Sequence, residues 1–131
     1  MKSGLAEGHS VTIMTEVTPD MHAQFEGDVV HPVYSTVSMV YHMEWASRKI
    51  ILPYLEEGEE GMGARVTVEH MAPARTGSSL EIKATVINYE GSIILTEVTV
   101  KDSKNDRIIG KGEVKQVVLP KEKIRERIEK I

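Results

Sequence analysis

The chain has 131 residues, 40% of them hydrophobic and 27% charged, with a net charge of -4. That length fits one domain, residues 1–131, with enough chain to bury a core. The mild acidity offers no footprint for nucleic acid or an anionic membrane, and the lack of cysteine excludes disulfides, thiolate chemistry and Cys-ligated zinc. The opening MKSGLAEGHS has no apolar stretch like that of a secretory signal, and no apolar run reaches the length of a membrane span, so a cytoplasmic location is expected.

Val11–Val17 (VTIMTEV) alternates loosely and reads as a first strand. Residues 18–35 carry Pro19, Gly27 and Pro32 and read as an irregular connection. Thr36–Leu55 (TVSMVYHMEWASRKIILPYL) is the longest helical pattern, with Ser35 or Thr36 offering a hydroxyl N-cap and Pro53 ending it. The four acids of EEGEEG (Glu56–Gly61) would oppose the helix dipole, so they are expected in a solvated loop.

Glu44 is the anomaly of that helix. At about 100° per residue, Ser38, His42 and Lys49 share a narrow polar stripe, and Glu44 lies across from His42, beside Val37, Val40 and Ile51. An ionised carboxylate among apolar side chains is costly unless something pairs with it or uses it. Two readings stand: an ion pair with Arg48 at i,i+4, or a reactive carboxylate.

Strand then follows strand. Met62–Met71 alternates, with Ala64, Val66, Val68 and His70 on one face and Arg65, Thr67 and Glu69 on the other. PARTG (Pro73–Gly77) turns into a strand lined by Leu80, Ile82, Ala84 and Val86, and NYEGS (Asn88–Ser92) turns into Ile93–Val100. SKND (Ser103–Asp106) leads to Arg107–Leu119, and Pro120 opens a short amphipathic helix striped by Ile124, Ile128 and Ile131. Tight turns join antiparallel neighbours. The economical packing is α+β: a curled antiparallel β-sheet wrapped around one long central helix, with a short C-terminal helix, which is a hot-dog fold. A ferredoxin-like fold would need a second full helix between strands. One helix cannot cover five strands, so pairing of two chains is expected to complete the burial and continue the sheet.

The strand register turns His70 toward the helix. Glu44 and His70 are therefore expected to approach each other, within one subunit or across a dimer, as a base and orienting pair for water. Thr36 lies about 80° round the helix from Glu44 and roughly two turns away, and its hydroxyl is expected to reach the same cleft. Plain structural roles stand beside these: an N-cap for Thr36, a hydrogen-bonded interior His70, and a Gly63 that only relieves strain at a strand entrance. His9, His22, His31 and His42 form no close metal-binding pair, so no metal is expected. Met39 and Met43 read as core. GEEGMG (Gly58–Gly63) is not a phosphate-cradling loop, and no Ser–His–Asp or GxSxG pattern stands out.

The runs STVSMVYHMEWA, LEEGEEGMG, VTVEHMAPARTG and GKGEVKQVV occur in an order and spacing that resembles the fluoroacetyl-CoA thioesterase-like branch of the hot-dog superfamily. The resemblance covers about Val29 to Leu119, and its most specific part is Thr-x7-Glu followed by Gly-x6-His and a Pro-x3-Gly turn. It implies hydrolysis of a small acyl-CoA thioester at a dimer interface, with Thr36, Glu44 and His70 as the catalytic set. Glu44 would attack the carbonyl or activate water, His70 would serve as base or proton shuttle, and Thr36 would polarise its neighbours. Gly63 would present its backbone amide to the substrate. The resemblance implies no cofactor beyond the CoA of the substrate, and a homodimer or a tetramer of two such dimers.

Two positions depart from the family pattern. Gln116, in GEVKQ (Gly112–Gln116), stands where many relatives have the Arg of a GTHER pattern, so a contact to substrate or CoA is lost or rebuilt. Val30 falls near the aromatic lid of the fluoroacetyl specialists, so fluoroacetyl specificity is not implied. The missing Arg keeps a second reading in play, a non-catalytic acyl-CoA-binding hot-dog module. A hot-dog dehydratase is disfavoured because no Asp-x4-His pattern is present.

Overall fold

The computed structural model describes residues 1–131. The strands are β1 (Ser10–Glu16), β2 (His22–Phe25), β3 (Asp28–Tyr34), β4 (Glu59–His70), β5 (Ser79–Glu90), β6 (Ile93–Asp102) and β7 (Ile108–Pro120). The helices are α1 (Thr36–Ile51), which follows β3, and α2 (Lys121–Glu129), which ends the chain. Five strands form one antiparallel sheet in the order β1-β5-β6-β7-β4. Strand alternation gives that sheet an apolar inner face of Leu80, Ile82, Ala84 and Val86 from β5, Ile94, Val98 and Val100 from β6, and Val114 and Val118 from β7. α1 lies on this face and buries Met39, Met43, Ala46 and Ile50 against it. The hot-dog arrangement expected from the sequence is therefore present.

Where α1 meets β7, the strand is thinned by glycine. A Cβ on Gly110 would run into the Met39 thioether, and one on Gly112 would meet the Met43 methyl and the Thr67 carbonyl. These gaps let the two methionines sink onto the strand and so set the rotation of α1 about its axis. At the start of α1 the N-cap is Ser35, whose Oγ accepts from the Ser38 amide at 3.0 Å. Thr36 is the first helical residue, and its hydroxyl is free for other partners.

Several local expectations change. Residues 18–35 are not wholly irregular, because β2 and β3 form a hairpin across Glu26 and Gly27, whose φ values of 52° and 85° suit a two-residue hairpin turn. Its alternation is hidden by two register shifts and by Pro32, which a short two-stranded ribbon tolerates. Ala64 does not share the inner face of Val66, Val68 and His70. A bulge between Gly63 and Arg65 leaves it unpaired and exposed. Glu59 and Glu60 open β4 instead of floating in a loop, Glu59 paired with the Met1 amino group and Glu60 with Arg48. The expected isoleucine stripe near α2 stays largely outside, with Ile128 and Ile131 exposed. No helix is long and apolar enough to cross a membrane.

Gly112→Ala tests the seating of α1. The Thr67 carbonyl cannot yield without parting β4 from β7, so we expect a loss of ~1–3 kcal/mol or more in urea denaturation. Gly110→Ala, which presses first on the flexible end of Met39 and only at 2.9 Å on the Glu69 carbonyl, is expected to cost less.

Candidate active site

α1 carries a second stripe that the sheet does not cover. Val37, Val40, Tyr41, Glu44 and Trp45 recur at helical spacing, and together with Arg48 they form one wall of a cleft of about 510 Å³. Gly61 and Gly63 of β4 and Val114 and Gln116 of β7 form the other. Val37 is 77% exposed and Tyr41 65%. Glu44 is therefore not buried among core side chains, as the helical pattern suggested, but exposed on the outer face. His42, expected on a polar stripe, is buried at 6% exposure. The reason is the rotation of the helix: the Met39 and Met43 stripe fits the thinned strand β7, and the rest of α1 follows.

The ion-pair reading of Glu44 is not the one the structure takes. Arg48 reaches across to Glu60 on β4, Nη1 to Oε2 at 2.9 Å, and this hydrogen bond leads the causes holding the Glu60 carboxyl below its usual range. Glu44 is left facing the cleft with no ion pair of its own. Gly63 lies directly beneath it: a Cβ there would sit 3.2 Å from Glu44 Oε2, so the missing side chain lets the carboxylate lie over the strand backbone.

Thr36 and His70 form a separate cluster. The Thr36 Oγ1 is 2.9 Å from His70 Nδ1. His70 ends β4, and its Nε2 is sealed from solvent with no hydrogen-bond partner. Burial lowers the imidazole pKa below its usual 6.5, partly offset by the backbone at Ala72. Neither residue lines the Glu44 cleft, since eight residues of helix, ~12 Å of rise, separate Thr36 from Glu44. One chain thus joins Thr36 to His70, and Glu44 to Gly63 and Gln116, without joining the two groups. Val30 is exposed on β3 and lines neither.

Sequence reasoning passed over a buried pair beside His70. Tyr34 Oη lies 2.7 Å from His42 Nδ1, the two rings stack at 5.7 Å, and the Tyr34 ring meets His70 edge-on at 6.2 Å. Burial pushes the Tyr34 phenol well above its usual range and the His42 imidazole below its own, so the neutral phenol donates to a neutral imidazole. Tyr41 and Trp45 were also missed, although their spacing from Val37 and Glu44 is a helical-stripe signal. No group of three or more His, Asp or Glu side chains gathers as a metal site would require.

The fluoroacetyl-CoA-specific thioesterase family model (FlK) matches residues 17–122. The chain belongs to this family. The fluoroacetyl-CoA thioesterase of Streptantibioticus cattleyicolor is 31% identical over 96 residues, 73% of this chain and 68% of that protein. A hypothetical protein of Thermus thermophilus, a thioesterase superfamily member, superposes with a TM-score of 0.92 at 41% identity, covering 98% of this chain and 93% of that one. The solved fluoroacetyl-CoA thioesterase FlK gives 0.87 at 27% identity with 98% of each chain covered, and a mutant of it is in complex with acetyl-CoA. The family is one of hydrolases acting on acyl-CoA thioesters.

The two imidazoles with depressed pKa values make stability depend on pH. Each is harder to protonate folded than unfolded, so its contribution is complete above the unfolded value of 6.5 and is lost as pH falls through the lower folded value. We expect a melting temperature level near neutrality that drops below pH 6.5. The double substitution Tyr34→Phe/His42→Leu, which removes both partners of one buried bond, should make that drop shallower.

Proposed function

We propose that the protein, as one hot-dog domain over residues 1–131, hydrolyses a small acyl-CoA thioester with Thr36, Glu44 and His70 as its catalytic set, completed in a homodimer. The observation that carries this reading is the unpaired Glu44 carboxylate lying over Gly63 in an apolar cleft while Arg48 is engaged by Glu60. A carboxylate left free beside a bare stretch of backbone suits attack on a carbonyl, directly or through a water it deprotonates. In the water route a new C–O bond forms as the C–S bond breaks, and the departing CoA thiolate takes up the proton. The bulge after Gly63 interrupts the β4–β7 ladder, which favours the Gly63 amide as a donor to the oxygen that becomes negative. His70, neutral near physiological pH, is suited to accept and pass on a proton, with Thr36 fixing its ring. These groups need no metal or organic cofactor.

Two unsatisfied features meet at the cleft and support the dimer. The outward stripe of Val37, Tyr41 and Trp45 is an uncovered apolar face, and β4, paired only with β7, offers a free strand edge beside it. A second copy docked there covers the stripe, continues the sheet and brings its own Thr36–His70 pair near the cleft. The separation of Thr36–His70 from Glu44 within one chain is also what a non-catalytic acyl-CoA-binding module would tolerate, so turnover must be measured.

Thiol release from a panel of short, branched and aromatic acyl-CoAs decides between them. Glu44→Ala and His70→Ala are each expected to lower kcat by ~10²–10⁴-fold while leaving the dimer intact by sedimentation. Retained turnover in Glu44→Ala would sink the catalytic assignment, and binding without turnover in the wild type would favour the module. For an active wild type, kcat/KM is expected to fall as pH drops below 6.5, toward the depressed pKa of His70. Gly63→Ala, which presses a methyl against the Glu44 carboxylate, should lower kcat more than it lowers the melting temperature.

A further inference from the structure

Gln116 is only 4% exposed, yet it is part of the cleft that holds Glu44. Its Nε2 donates to the Ser47 carbonyl at 3.0 Å. A carbonyl only accepts, so this bond fixes which way the carboxamide lies, nitrogen toward α1 and oxygen away from it. Ser47 is held in turn. Thr96 gives its single hydroxyl hydrogen to the Val114 carbonyl at 3.2 Å, so Ser47 Oγ is the donor in the 2.7 Å bond between the two hydroxyls. Gln116 is thus held by the main-chain carbonyl of Ser47, and the Ser47 side chain separately ties that turn of α1 to Thr96 on β6.

The Oε1 of Gln116 takes part in none of these bonds and is not sealed off as His70 Nε2 is. It is an acceptor without a partner on a residue that lines the cleft, beside Val40, Val114 and Trp45 and in the same lining as Glu44 and Arg48. Gln116 stands opposite Gly63 in the β4–β7 ladder, and Ser47, which anchors it, is three residues along α1 from Glu44, ~4.5 Å of rise. An acyl chain whose carbonyl reaches Glu44 therefore passes the acceptor within its first few carbons.

We propose that Gln116 selects acyl groups bearing a hydroxyl on the second or third carbon, whose O–H donates to Oε1. This rests on the thioesterase reading above. A hydroxyl fits because it is a neutral donor matched to a neutral carboxamide oxygen beside Val40, Val114 and Trp45. A site built to hydrogen-bond a substrate hydroxyl also discriminates far better than one that only measures size.

The test compares matched pairs: acetyl-CoA with glycolyl-CoA, and butyryl-CoA with 3-hydroxybutyryl-CoA. The wild type is expected to favour the hydroxylated member of at least one pair by tenfold or more in kcat/KM. Gln116→Met is expected to bring that ratio to about one by raising KM for the hydroxyacyl substrate. Because each ratio is taken within one protein, a general loss of activity does not mimic the effect. Calorimetry with the matching non-hydrolysable thioethers gives the same ratio for any form that turns over slowly. A wild-type ratio near one in both pairs, or a preference that survives Gln116→Met, overturns the proposal and leaves the thioesterase reading standing. If no thioester is cleaved but the thioethers bind, the hydrolase reading falls and the binding ratio still decides the role of Gln116.

Discussion

The seating of Met39 and Met43 in the gaps left by Gly110 and Gly112 is the constraint on which the rest of the molecule depends. A helix on a sheet has one free rotation, and this contact removes it. Once the methionines are down, Ser47 faces Thr96 and Gln116, Thr36 meets the end of β4, and Glu44 lies over Gly63 at the β4 edge of the sheet. Interiors pack like crystals of small molecules, so even small errors in this rotation would be resisted. The geometry of the cleft is thus inherited from packing at residues that take no part in it.

The same constraint leaves α1 apolar on two sides. One side is satisfied by the sheet, and the other is left to the cleft and to whatever covers it. An exposed stripe with Val37, Tyr41 and Trp45 would be a liability on a protein built to act alone. It lies next to the free edge of β4, the other surface a solitary chain must protect. Both unsatisfied surfaces fall on the side of the molecule where Glu44 lies.

The fold was legible in the sequence because the strand alternations of β5 and β6 and the helical period of α1 are strong local signals. The β2–β3 hairpin was not, since its bulges and Pro32 break the alternation that would reveal it. Glu44 was rightly grouped with Val37 and Val40 across from His42, but it was expected to be buried and is exposed. Periodicity identifies stripes but not which of two apolar stripes meets the sheet, and that choice is made by two glycines far along the chain. The register that turned His70 toward α1 holds, but within one chain His70 meets Thr36 and not Glu44, the partner expected for it. The Arg48–Glu60 pair was invisible because it depends on where β4 returns in space. The buried Tyr34–His42 bond was hidden for a similar reason: its partners lie on either side of the helix start, where helical phase gives no guidance.

Ser35 and Thr36 are neighbouring hydroxyls with separate duties. Ser35 satisfies the open end of the helix, so the capping of α1 does not draw on the oxygen of Thr36, which bonds His70 instead. A change of side chain at position 36 therefore alters the surroundings of His70 while leaving the helix cap in place. Position 36 is thus one residue away from the hydroxyl that caps the helix.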